Sequence, residues 1–183
     1  MRVFLDFEAS SLGKRSYPIE VAWVFEDGRG ESHLIRPAPG WTDWDDAAEA
    51  IHRIPRRLLE REGEAHEQVA ARMVEQLSGH ALHASAPSWD AKWLNALLRT
   101  CGYPKHHLRL RKTTDMIVED VAEILGETVP PAGRKQAAAA VLAEVCAAET
   151  DPPAHRALPD ARAELQRWKA ALGAAEALRA RSD

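Results

Sequence analysis

Asp6 and Glu8, in the run Val3-Phe4-Leu5-Asp6-Phe7-Glu8, are the residues of this sequence whose type and spacing most directly suggest chemistry. The run is otherwise apolar and has the character of a buried strand. Alternate side chains of a strand share a face, so Val3, Leu5 and Phe7 point one way and Phe4, Asp6 and Glu8 the other. Two acids on one face at the end of a central strand repel each other and resist burial. A cation between them removes both costs, and an oxygen-rich site of this kind suits Mg²⁺ or Mn²⁺. Taken alone, the pair is equally a strand end with two solvated acids, so the rest of the chain has to supply further ligands.

Two stretches do so. In the helix expected from about Trp89 to Cys101, the apolar residues Trp93, Leu94, Leu97, Leu98 and Cys101 recur at helical spacing from Asp90, which places Asp90 on the core face. An inward carboxylate needs a charge partner or hydrogen-bond donors, although an acid in a first turn can also serve free amides there. The other stretch is His155-Arg156-Ala157-Leu158-Pro159-Asp160. Five residues turn an ideal helix by about 140°, so His155 and Asp160 cannot share one face of a continuous helix. Pro152, Pro153 and Pro159 put His155 in a loop and open a helix at Pro159, with Asp160 in its first turn. A helix amino terminus favours the ionised carboxylate, the form a metal needs. Read alone, His155 is an ordinary loop histidine; beside Asp160 it can lean over the same cation.

The elements that must position these groups follow from periodicity. The first strand is followed by Ile19 to Phe25 and, after the Asp27-Gly28 turn, by Ser32 to Arg36, an antiparallel meander. Glu20, the one acid of the second strand, is read as facing an edge or a partner rather than a metal. Helices are expected over Trp44 to Ile51, Pro55 to Arg61 and Glu67 to Leu77, with Asp43, Asp45 and Asp46 as first-turn acids and Arg53, Arg56, Arg57 and Arg61 as a solvated basic stripe that could also touch phosphates. A strand at Ala81 to Ala84, the Asp90 helix capped by Ser88, a strand at Leu108 to Arg111 and a helix capped by Asp115 and running to about Leu125 come next. Thr128 to Gly133 reads as a loop, Lys135 to Ala148 as an Ala-rich helix, Asp151-Pro152-Pro153 as a break, and Pro159 to about Leu172 as the last helix, with 173–183 a frayed tail. The pattern is a mixed α/β sheet covered by helices, in one domain spanning residues 1–183.

Asp6-Phe7-Glu8, Trp89-Asp90 with Trp93-Leu94, and His155 followed five residues on by Asp160 resemble the three motifs of the DEDDh (DnaQ-like) 3'-5' exonuclease superfamily, in the family's order. The resemblance implies a ribonuclease H-like fold with a five-stranded sheet of order 3-2-1-4-5, strand 2 antiparallel, and two divalent metal ions, Mg²⁺ or Mn²⁺. It implies that Asp6 bridges both metals, that Glu8 and Asp160 hold the first, and that Asp90 helps place the second. It further implies that Leu12 wedges against the terminal base, with Ser10 and Trp89 as further substrate contacts. The chain departs from the family where Ala9-Ser10-Ser11 replaces Thr-Thr-Gly, where Ser85 and Ala86 stand in place of His-Asn, and where Arg53 stands in a segment that commonly has glycine. All four acids and the histidine are present, which speaks against a decayed relative.

The implied reaction is hydrolysis of a phosphodiester at the 3' end of single-stranded RNA or DNA by a two-metal mechanism. Mononucleotides would be released one at a time, with neutral His155 taking the proton of the attacking water. Two other readings compete: a nucleic-acid-binding or regulatory module with a weak site, and a phosphodiesterase of small nucleotides. Composition allows all three. At 183 residues, 45% hydrophobic and 28% charged, the chain has the makeup of a soluble domain with a proper core. Its net charge of -4 argues against coating nucleic acid through bulk positive charge. Cys101 and Cys146 lack metal-ligand or disulfide spacing, and no stretch reads as a signal peptide or membrane span. A cytoplasmic protein is therefore expected, and family likeness adds a homodimer to the expectations.

Overall fold

The computed structural model describes residues 1–150 and 152–181. Strands β1 (Arg2–Ala9), β2 (Pro18–Phe25) and β3 (Gly30–Arg36) form the expected antiparallel meander. The hairpin between β2 and β3 turns at Gly28, whose φ of 93° is open to glycine without strain. Helices α1 (Asp46–His52) and α2 (Arg56–Glu62), the two-residue strand β4 (Glu64–Ala65) and helix α3 (His66–Leu77) follow. The chain then returns to the far side of β1 as β5 (Ala81–Ala84), and continues through α4 (Pro87–Thr100), β6 (Leu110–Lys112), α5 (Thr113–Ile124), α6 (Pro131–Ala148) and α7 (Ala157–Ala180).

The sheet order is β4-β3-β2-β1-β5-β6. Without β4 this is the expected 3-2-1-4-5 arrangement. The added edge strand consists of two pairs, Ile35 with Glu64 and Arg36 with Ala65, too short for any alternation to show in the sequence. β1 lies at the centre, antiparallel to β2 and parallel to β5. Its two faces feed two cores, as the alternation requires. Val3, Leu5 and Phe7 pack with α3 and α4 residues such as Met73, Leu94 and Leu97. Phe4 packs with Ile117, Val141, Leu165 and Trp168 of α5, α6 and α7. Asp6 and Glu8 therefore emerge on the α7 side, at the carboxyl end of the central strand.

Several expected boundaries and caps shift for local reasons. Ser88 does not cap α4: Pro87 takes the first helical position after Ala86, and Ser88 falls inside the first turn. Asp115 likewise lies within the first turn of α5, which begins after Lys112. Pro131 opens α6, so the second half of the expected 128–133 loop is helical; a proline fits there because a first-turn N–H has no intrahelical partner anyway. Asp45 is the cap of α1, accepting from Ala47 N at 2.9 Å, whereas Asp43 precedes the helix and accepts from the Ser10 and Ser11 hydroxyls. Arg53 ends α1 at φ 58°, a left-handed position that favours glycine, which gives a physical reason for the glycine usual in that segment of the family. The last helix starts two residues before Pro159 and runs to Ala180; Ala171 and Ala175 are fully buried and 176–180 are exposed, so the tail expected over 173–183 is helical as far as Ala180 and packed as far as Ala175. The small side chains bring it close to α5 and α6. Asp151, Ser182 and Asp183 lie outside the described residues.

Candidate active site

Asp6, Glu8 and Asp160 each bring one carboxylate oxygen to within 4.8 Å of the others. They line a cavity of about 680 Å³ together with Ser85, His155 and Glu164. Asp90 is not one of these three ligand groups, but its charge acts on Asp6. Its side chain is 3% exposed, and its Oδ2 has no hydrogen-bond partner among the described residues. A buried carboxylate oxygen without a donor is costly unless something positive faces it.

The electrostatics of Asp6, Glu8 and Asp90 point the same way. Burial, then the charges of Asp90, Glu8 and Asp160, hold the Asp6 carboxyl well above the usual range. Burial, then Asp160 and Glu20, push Glu8 up to about 7, with Arg156 acting against them. Burial also lifts Asp90 to about 7, against the pull of backbone amide hydrogen bonds. Acids that cannot ionise together unaided make a site that fits divalent cations, whose charge would relieve every one of these costs. Asp6, Glu8 and Asp160 would hold the cation directly, with the charge of Asp90 acting on Asp6.

The fold raises the carboxyls of Asp6, Glu8 and Asp90, so their ionisation costs stability; for Glu8 and Asp90 that penalty is fully present above about pH 7 and is relieved as pH falls from there toward the ordinary carboxylate range. Burial holds His52 and His83 below their ordinary 6.5, and they act in the opposite sense at lower pH. The melting temperature of EDTA-treated protein is therefore expected to rise from pH 8 to pH 6.5. Mn²⁺ should raise it more at pH 8 than at pH 6.5, as thermal denaturation scans would show.

His155 sits on the rim, exposed, at φ 53°, a left-handed conformation that costs a non-glycine residue about 1 kcal/mol or more. The loop around it is tied at three points. The Asp160 carboxylate accepts from Ala154 N at 3.0 Å and Arg156 N at 3.2 Å. Glu20, 2% exposed and central in the sheet, binds the Arg156 guanidinium at 2.7 Å and accepts from Ala157 N at 2.9 Å. Glu20 thereby supplies, from β2, the cap that α7 lacks at its own N-cap residue, where the Arg156 side chain makes no capping bond. Glu8 and Glu20 face each other directly across β1 and β2, so Arg156 also offsets a like-charge pair.

Beyond the expected residues, Glu164 lies one turn after Asp160, 7% exposed, and adds negative charge beside Asp6 and Asp90. Arg167 pairs with Glu164 and grips Glu149 through two contacts of 2.7 Å, joining α7 to the end of α6. The four-residue spacing of Asp160 and Glu164 was the one sequence signal for this extension.

The expected substrate-side residues divide. Leu12 is 68% exposed, and Trp89 is 38% exposed and stacked on Trp93. Ser10 is fully buried, its hydroxyl held by Tyr17 N at 3.1 Å and by Asp43, so it acts through the shape of the loop that carries Leu12.

The topology, with acids at the end of the central strand, is that of a ribonuclease H-like fold. Solved structures of exonuclease I share this fold. The chain resembles exonuclease I of Methylocaldum szegediense with TM-score 0.66 and 19% identity, over 91% of this chain and 39% of that one. It resembles the zinc-bound E. coli exonuclease I–ssDNA complex with TM-score 0.63 and 17% identity, over 90% and 38%, and the complex with a dT13 oligonucleotide with TM-score 0.61 and 15% identity, over 90% and 39%. The chain thus spans less than two fifths of the length of those proteins. No family model and no curated protein matches it. The likeness carries the fold, in agreement with the resemblance read from the motifs. Among the described residues, no helix is long and apolar enough to cross a membrane.

Proposed function

We propose that this protein is a divalent-metal-dependent 3'-5' exonuclease that removes mononucleotides from single-stranded nucleic acid. The observation that carries this reading is the convergence of Asp6, Glu8 and Asp160 around one cavity, with His155 on the rim and the charge of buried Asp90 acting on Asp6. Divalent cations such as Mg²⁺ or Mn²⁺, when bound, supply charge neutralisation at the attacking and leaving oxygens.

The rest falls to the chain. Asp6, Glu8 and Asp160 present oxygen ligands from a rigid strand and a helix start, which fixes their geometry before substrate arrives. The His155 imidazole takes the proton of the attacking water at a ring nitrogen, so its neutral form is the working one. The bonds from Asp160, Arg156 and Glu20 hold the histidine loop over the acids. Leu12 and Trp89 offer apolar surface to the terminal bases, a contact indifferent to sequence.

The test is a 5'-labelled single-stranded oligonucleotide, RNA and DNA in parallel. A ladder of stepwise shortening in Mn²⁺ supports the reading. Retardation without shortening would instead support a binding module, and turnover confined to dinucleotides a small-substrate enzyme. His155→Asn is expected to lower kcat about 10²-fold or more while Mn²⁺ still raises the melting temperature, since the ligands remain. Unchanged turnover in that variant would remove His155 from the mechanism.

A further inference from the structure

A second cavity, of about 720 Å³, lies on the other exposed flank of α4 and has the opposite chemistry. Its charged lining is entirely basic: Lys14, Lys92, Arg99 and Lys105, with His106 beside them. None of the four lysine and arginine side chains is in an ion pair among the described residues. That is unusual company in a chain of net charge -4. The basic stripe of α2 is different. Arg56 pairs with Glu60 and Arg61 with Glu62, so half of that stripe is already neutralised.

Helix geometry produces the groove. Ser88, Ala91, Lys92, Asn95, Ala96 and Arg99 recur at spacings of three and four and form one face of α4, while Asp90, Trp93, Leu94 and Leu97 form its buried face. Alanine and serine between the cations leave room for a chain to lie close to the helix. Lys92 and Arg99 are separated by about 10 Å along the axis. Lys92 donates to Gly13 O at 2.5 Å and Ser16 Oγ at 2.7 Å, and its ammonium lies 5.0 Å from the Trp89 ring centre. It therefore joins the groove to the loop that carries Leu12 and to an exposed aromatic face.

We infer that this groove binds the phosphodiester backbone of a single-stranded nucleic acid, at nucleotides beyond those held at the acid cavity. The inference rests on the exonuclease reading for its direction, because Ser88 lines the groove and the charge of Asp90, two residues on, acts on Asp6 of the acid cavity. Unpaired cations interleaved with a stacking surface suit a phosphate-and-base polymer better than an acidic peptide, which needs no aromatic platform.

The experiment measures binding of a 5'-fluorescein-labelled dT12 oligonucleotide by anisotropy, in EDTA so that no hydrolysis intervenes, across a range of salt. Arg99→Glu/Lys105→Glu, both fully surface-exposed positions, is compared with Arg57→Glu/Arg61→Glu, which changes net charge equally on α2. Equal melting temperatures verify that both fold. The α4 variant should bind at least tenfold more weakly and lose about 1.4 from its salt slope, the share of two phosphate contacts on a single strand. The α2 variant should lose much less. Equal weakening in both variants, or no salt-dependent binding by the wild type, overturns the inference. So does loss of a fluorescein-labelled acidic peptide in the α4 variant while the oligonucleotide still binds. Failure of the exonuclease reading looks different: the wild type would bind the oligonucleotide through this groove but leave it unshortened in Mn²⁺.

Discussion

Replacing Asp6 with Asn is expected to abolish oligonucleotide shortening while making the metal-free protein more stable. The Asp6 carboxyl is held well above its usual range by burial and by repulsion from Asp90, Glu8 and Asp160. An amide of the same shape removes that repulsion at pH 8, so the variant should melt above the wild type in EDTA. It should lose most of the rise that Mn²⁺ gives the wild type, because the central anionic ligand is gone. Loss of several kcal/mol of transition-state stabilisation corresponds to at least about 10³-fold in kcat. The two opposite effects in one variant separate a ligand from a structural acid. A structural Asp6 would give a less stable protein, and turnover within tenfold of the wild type would exclude it from the chemistry.

The largest loss of stability is expected from Arg156→Met. Arg156 binds Glu20 at 2.7 and 3.0 Å, and Glu20 sits in the middle of the sheet, directly opposite Glu8. Removing the guanidinium leaves Glu20 with Ala157 N as its remaining donor. Stripping one partner from a buried pair costs about 3–5 kcal/mol, and because the Arg156 side chain is 46% exposed the lower end applies. For a chain of this size that is a fall in melting temperature of roughly 6–12 °C. The double variant Glu20→Gln/Arg156→Met should recover part of it, since the uncompensated charge is gone. Turnover should fall with Arg156→Met as well, because the strained His155 backbone loses an anchor. A melting temperature within about 1 °C of the wild type would show that the pair is not what holds this loop.

Legibility in the sequence depended on whether a feature was written in a period. Alternation in β1 was enough to put Asp6 and Glu8 on the face opposite Val3, Leu5 and Phe7. Helical spacing put Asp90 on the buried face of α4, and the prolines around His155 separated loop from helix. Glu20 and Arg156 are 136 residues apart, and no local pattern pairs them. The arginine reads as a loop residue and the glutamate as an acid needing some partner. Glu164 showed its spacing from Asp160, but its link through Arg167 to Glu149 exists only once α6 and α7 pack. The packing of α7 beyond Leu172 went unseen because Ala174 and Ala175 give no amphipathic contrast; their small size is what lets them pack. The groove on α4 was hidden for a related reason: its lysines and arginines come from a loop, a helix and the segment after it.

The most direct test of a shared cation pocket is an Mn²⁺ titration at pH 8, followed by electron paramagnetic resonance of the free ion, in wild-type protein and Asp6→Asn. The account requires the wild type to sequester Mn²⁺ and the variant to leave it largely free. A folded wild type that leaves Mn²⁺ free, or a variant that takes up as much, would contradict it.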